Sequence, residues 1–185
     1  MLVLLAGLQG PLASWPVQPI DDAARAWVQS LRAPALEAPM RFVSDRSRVV
    51  LFAGSALALV AGPAGRSFVL EAAIALAPAN AVVEALKWCV NRTRPDGDRN
   101  RKNSSFPSSH AANAVALAAV ITRRWRRAWP AAWLGAAIVA YSRLFLDRHW
   151  LSDVLAGALL ALAAAAIAAV IMRRIEKPKS APGGA

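Results

Sequence analysis

From residue 154 to 172 the chain runs nineteen residues without a charge, "VLAGALLALAAAAIAAVIM", and then breaks into "RRIEKPK". An apolar stretch of that length spans the ~30 Å hydrocarbon core of a bilayer as a helix. It belongs to a set of apolar blocks, at 49–65, 67–90, 110–122, 128–146 and 150–172. With 57% hydrophobic residues, the whole is richer in apolar side chains than a soluble core of this size needs. The expected fold is all-α: a polytopic transmembrane helical bundle of five spans, preceded by an interfacial helix.

The segments differ in how well they fit. Residues 21–47 mix charges with apolar side chains and carry Pro34 and Pro39, which suits a broken amphipathic helix lying on the membrane surface. The block at 110–122 has thirteen residues, about 20 Å of helix, so its start is expected below the membrane surface. The opening run is too short to span, and it lacks the leading bases and cleavage site of a signal peptide, so a sixth span there is left open. Residues 1–47 thus read as an N-terminal segment, 48–173 as a transmembrane domain and 174–185 as a disordered cytoplasmic tail.

A formal net charge of +11 raises the question of nucleic acid. The placement of the bases answers it: "RRWRR" at 123–127 and "RRIEKPK" at 173–179 sit at the ends of apolar blocks, where bases meet lipid headgroups. No nucleic-acid partner is expected. The single cysteine, Cys89, excludes an intrachain disulfide, and its apolar surroundings read as inert packing. Alternation of the spans gathers residues 92–109 and 147–149 at one face. Arginines stand at both faces, so their distribution does not orient the bundle.

Three short blocks on that shared face carry chemistry. In "KWCVNRTRP", Lys87 and Arg94 lie seven residues apart, two helical turns, with Pro95 to end the helix. In "PSSH", Ser108 and Ser109 precede His110 at a helix entrance, where free N–H groups and the helix dipole favour an anion. In "SRLFLDRHWLSD", His149 and Asp153 stand four apart beside Arg143. A carboxylate there can fix one imidazole tautomer and leave the other nitrogen to attack. Each block alone also fits a plainer role: bases snorkelling to headgroups, a helix cap, or a surface ion pair around solvated Asp147 and Arg148.

Together, and in this order, the blocks resemble the signature of the type 2 phosphatidic acid phosphatase superfamily, which includes bacterial acid phosphatases and vanadium haloperoxidases. The spacings hold across Lys87, Arg94-Pro95, Pro107 to His110, Ser142-Arg143, His149 and Asp153. One position departs: Ser109 stands where the family has glycine.

The resemblance implies an integral membrane phosphatase acting on a lipid phosphate or diphosphate through a phosphohistidine, without metal or other cofactor. His149 would be the nucleophile, Asp153 its orienter, and His110 the acid and then base. Lys87, Arg94, Ser108, Ser109 and Arg143 would hold the phosphate. Undecaprenyl diphosphate is the substrate expected first, with phosphatidylglycerol phosphate, phosphatidic acid and lipid A phosphates as alternatives, and an inactive lipid-binding member as another. The resemblance also orients the bundle in the cytoplasmic (inner) membrane, with the site facing the periplasm or exterior. If residue 109 required a left-handed backbone, serine would add strain of about 1–3 kcal/mol.

Overall fold

The structure is a computed structural model that describes residues 15–60 and 62–176. The open sixth span and most of the expected disordered tail concern residues outside that range. Among the described residues there are six α-helices: α1 (Gln18–Ser30), α2 (Pro34–Val60), α3 (Pro63–Val90), α4 (Ser109–Arg124), α5 (Trp129–Phe145) and α6 (Leu151–Ile175).

Local sequence explains where the helices begin and end. Pro34, Pro63 and Pro130 lie in first turns, where no N–H partner is needed. Gly62 supplies the positive φ of 92° that precedes α3. Asn91 closes α3 in a left-handed conformation at φ 45°.

Several expected boundaries shift. The expected broken helix over 21–47 is two helices, and the second does not end at residue 47. The one break lies between Ser30 and Pro34, and α2 then runs unbroken past residue 47 to Val60 with Pro39 inside it. Pro78 likewise lies within a continuous α3. Helix α3 ends at Val90, so Arg94 belongs to the following loop rather than to the helix carrying Lys87. Residues 174 and 175, placed in the tail from sequence, complete α6. Cys89 is exposed rather than packed.

The bundle is built around α4, which packs against α3, α5 and α6. Its interior is made of small side chains: Ala75, Ala112, Ala116, Ala161 and Ala168 are all fully buried. Phe145 and Met172 are buried among them, but many large aliphatic side chains point out, with Leu134, Leu159 and Ile167 each more than 60% exposed. Water would penalise that arrangement. In lipid, burying a leucine gains nothing over leaving it among acyl chains, and small residues let helices approach closely.

Among the described residues, α3 and α6 are long and apolar enough to cross a membrane on length and composition. The other three expected spans do not meet that standard alone. Helices α4 and α5 have 16 and 17 residues, about 24–26 Å, and the first half of α2 is charged.

At one end of the bundle, buried Glu71 of α3 takes Arg123 and Arg124 of α4, and Arg124 also reaches Glu176 at 2.7 Å. The opposite end holds the C-termini of α3 and α5 and the N-termini of α4 and α6. The three chemistry-bearing blocks meet there.

Candidate active site

A polar cavity of about 430 Å³ opens at that end, and Lys87, Arg94, Ser109, His110, Arg143 and His149 all line it. Three different loops and helix ends deliver them, although up to sixty-two residues separate Lys87 from His149 in sequence. Two expected site residues do not line it. Ser108 turns inward as the N-cap of α4, with its Oγ near the N–H of Ala111, and Asp153 lies fully buried behind His149.

His149 sits in the turn between α5 and α6, whose backbone is tied down tightly. The N–H groups of Arg148 and His149 both donate to the Arg143 carbonyl, at 2.9 and 3.2 Å. The imidazole Nδ1 is 2.7 Å from the Ser105 carbonyl oxygen. A carbonyl only accepts, so Nδ1 carries the proton and Nε2 keeps its lone pair. The expected Asp153 partner is near but not the direct acceptor, with Oδ2 at 3.8 Å from Nδ1. The helix-spacing argument misses this because His149 precedes α6 and Trp150 is its N-cap.

Asp153 is instead held by three donors. Its Oδ2 accepts from Ser105 Oγ and from the Trp150 N–H at 2.8 Å, and Oδ1 accepts from Arg92 at 2.6 Å. Burial, above all, pushes the His149 imidazole down to about 4; the Asp153 carboxylate opposes this, and Arg143 and Arg94 add to it. The free site therefore holds a neutral imidazole at ordinary pH.

The cations are held by neighbours. Lys87 donates to Glu84 at 2.8 Å and to Ser109 Oγ at 3.2 Å. Arg94 donates to the carbonyls of Asn103 and Arg148, at 2.9 and 3.0 Å. Arg143, also buried, donates through Nη1 to Ser44 of α2. Ser109 has no positive φ, so the feared strain is absent, and its hydroxyl contributes to the cavity wall. Asp147 is not a solvated loop charge: it accepts from Arg25 at 2.8 Å and Gln29 at 3.2 Å of α1. Trp150 donates through Nε1 to the Thr93 carbonyl at 2.9 Å.

His110 also borders a second, apolar cavity of about 390 Å³ between α2, α4 and α5, lined by residues such as Phe42, Val50, Leu117 and Ile138. The two cavities meet at this histidine.

The family model described as the PAP2 superfamily matches residues 68–177, more than half of the chain. The chain belongs to the PAP2 superfamily. This PAP2 chain is 37% identical over 90 residues to the lipid A 1-phosphatase of Porphyromonas gingivalis, a match covering 46% of the chain and 20% of that protein. The matched region thus spans about a fifth of that relative's length. The fold is similar to LpxE from Aquifex aeolicus, with a TM-score of 0.70 and 23% identity over 79% of this chain and 92% of that one. It is equally similar to a transmembrane PAP2 type phosphatidylglycerolphosphate phosphatase from Bacillus subtilis, with a TM-score of 0.70 and 21% identity over 96% and 94% of the two chains.

Sequence reasoning missed four residues that shape this PAP2 site. Ser105 supplies the acceptor for His149, and Ser44 braces Arg143. Arg92 reads in sequence as one loop arginine among several, yet it is buried against Asp153. Gly157 lets α6 close onto α4, since a Cβ there would run into the Ser108 carbonyl. Its placement one turn beyond Asp153 was the only available signal.

Proposed function

We propose that the protein is an integral membrane phosphatase that hydrolyses a lipid phosphomonoester through a phosphohistidine at His149. The observation that carries this reading is the single cavity lined by His149, His110, Lys87, Arg94 and Arg143. Three cations neutralise a phosphate dianion there, and the guanidinium groups can take its oxygens two at a time. His149 Nε2 attacks phosphorus, forming a P–N bond as the P–O bond to the lipid breaks. His110 gives its proton to the departing oxygen. It then takes a proton from water, which attacks the phosphohistidine and releases inorganic phosphate with His149 restored.

The apolar cavity beside His110 supports an amphiphilic substrate, because the leaving oxygen carries the lipid and must stand next to the group that protonates it. The short α4 supports the same view by keeping the cavity near headgroup depth. Among lipids, the alternative class now leads. The relatives named above are a lipid A 1-phosphatase and a phosphatidylglycerolphosphate phosphatase, so a lipid monophosphate of those kinds replaces undecaprenyl diphosphate as the preferred substrate. On this reading the site end faces the periplasm or exterior, and the arginines of 123–127 face the cytoplasm.

The test is phosphate release by purified protein, without added metal, from lipid A 1-phosphate, phosphatidylglycerol phosphate, phosphatidic acid and undecaprenyl diphosphate. Release from a lipid monophosphate that vanishes in His149→Ala is the expected result. Full activity in that variant would remove the proposed nucleophile.

A further inference from the structure

Arg92 and Asp21 form a buried pair that no step above uses. Arg92 is 4% exposed and Asp21 1%. Arg92 Nη2 donates to Asp21 Oδ2 at 2.7 Å, while Nη1 donates to Asp153 Oδ1 at 2.6 Å. One guanidinium thus bridges a carboxylate of α1 and the carboxylate behind His149. Asp21 is fastened in turn to the start of α6, accepting from the N–H and the hydroxyl of Ser152 at 2.8 and 2.6 Å. The Trp15 ring lies over the guanidinium at 4.3 Å.

The backbone of Arg92 holds the other half of the same arrangement. Its N–H donates to Ser104 Oγ and its carbonyl accepts from the Ser105 N–H, both at 2.9 Å. Ser105 is the residue whose carbonyl receives His149 Nδ1–H and whose hydroxyl donates to Asp153. Arg92 therefore touches both groups that face Nδ1. A buried ion pair is a poor way to gain stability, since desolvation offsets most of the attraction. A forked donor between two fixed carboxylates is a good way to fix geometry.

We propose that Arg92 and Asp21 are positioning residues that align Asp153 and Ser105 on His149, which makes α1 a working part of the active site. This rests on His149 being the nucleophile. Helix α1 precedes the region matched by the family model, so the device joins a segment outside that region to the reacting imidazole. Its effect falls on the chemical step. As phosphorus bonds to Nε2, the ring gains positive charge, and a misaligned Asp153 offsets less of it. The phosphate cations are separate side chains, so binding is untouched.

The experiment uses the full chain in detergent micelles with dioleoyl phosphatidic acid, measuring kcat, KM and inhibition by inorganic phosphate. Asp21→Asn keeps the shape but removes the charge, and its NH2 must oppose one of the donors now facing the carboxylate. The expected result is a kcat about tenfold lower for Asp21→Asn and about a hundredfold lower for Arg92→Gln, the scale of a small misplacement of reacting groups. KM and phosphate inhibition stay within about twofold of wild type, as expected when only transition-state interactions are lost. A kcat within about twofold of wild type in Asp21→Asn overturns the proposal. So does a parallel loss of kcat, substrate affinity and phosphate inhibition, which marks general damage to the fold. If Arg92→Gln does not fold, Asp21→Asn decides alone. An inactive wild type would instead count against the proposed function, and an active His149→Ala against the nucleophile assignment itself.

Discussion

The imidazole Nδ1 of His149 lies 2.7 Å from the carbonyl oxygen of Ser105. That one distance selects the tautomer, because the carbonyl demands a donor, and it aims the unprotonated nitrogen away from the buried carboxylate. On the proposed mechanism, the reactivity of the site follows from this contact and from the burial that keeps the ring neutral.

The pH dependence should show it. With the imidazole pushed down to about 4 by burial, the proposed nucleophile, His149, stays neutral in the free protein until well below the ordinary histidine value. We expect kcat/KM to hold down to about pH 5 and to fall through about 4, in an assay buffered from pH 3.5 to 8. A fall centred near 6.5 would show a solvated imidazole. Linkage gives a second consequence. The unfolded chain takes up a proton at higher pH than the folded one, so this group's stabilising contribution is complete above about 6.5 and is lost as pH falls towards 4.

Replacing His110 tests the proposed acid separately. His110→Gln should lower turnover of a lipid phosphate by about a hundredfold to ten-thousandfold, the usual worth of a general acid. The loss should shrink on an aryl phosphate, whose leaving oxygen needs no proton. Equal losses on both substrates would argue against proton donation.

Gly157→Ala should disturb the bundle at the back of the site. The added methyl meets the Ser108 carbonyl, backbone that cannot swing away, so α6 must move off α4. Overpacking of this kind costs about 1–3 kcal/mol, to be read as a lowered melting temperature in detergent. An unchanged melting temperature would mean that the two helices have slack.

At the other end of the bundle, Glu71→Gln should separate stability from catalysis. Glu71 is buried against Arg123 and Arg124, which are 29% and 17% exposed in their side chains. Removing the charge leaves two guanidinium groups with a weaker acceptor, a cost of about 1–3 kcal/mol. Activity per folded molecule should match wild type, as Glu71 lies at the far end of α3 from Lys87. A selective fall in kcat with no loss of stability would contradict that division.

Much of the site was legible because its residues fall in three compact blocks whose spacing carries the information. Lys87, Arg94, Ser109, His110, Arg143 and His149 all reach one cavity, even though helix spacing was the wrong reason for two of them. Pro95 suggested a late end to α3, but Asn91, a residue suited to a left-handed cap, ends it four residues earlier. His149 and Asp153 looked like partners on one helix face, whereas the histidine lies before the helix and takes its contact from the 104–105 segment. The α1 contacts left no local trace at all. Asp21 is 71 residues from Arg92 and 131 from Ser152, and an amphipathic surface helix offers no pattern by which one buried acid stands out from its solvated neighbours. The continuity of α2 was hidden by two prolines that read as breaks, of which one starts the helix and the other is absorbed.

That continuous α2 has a further consequence. Arg41, Ser44 and Asp45 border the polar cavity, while Phe42 and Val43 of the same turns, and Val50 further along, border the apolar one. On the proposed function, recognition of what surrounds the phosphate and accommodation of the lipid tail are thereby written on opposite sides of a single rod. A lineage that retunes one preference by rotating or re-registering this helix alters the other with it, so the two selectivities should drift together rather than independently.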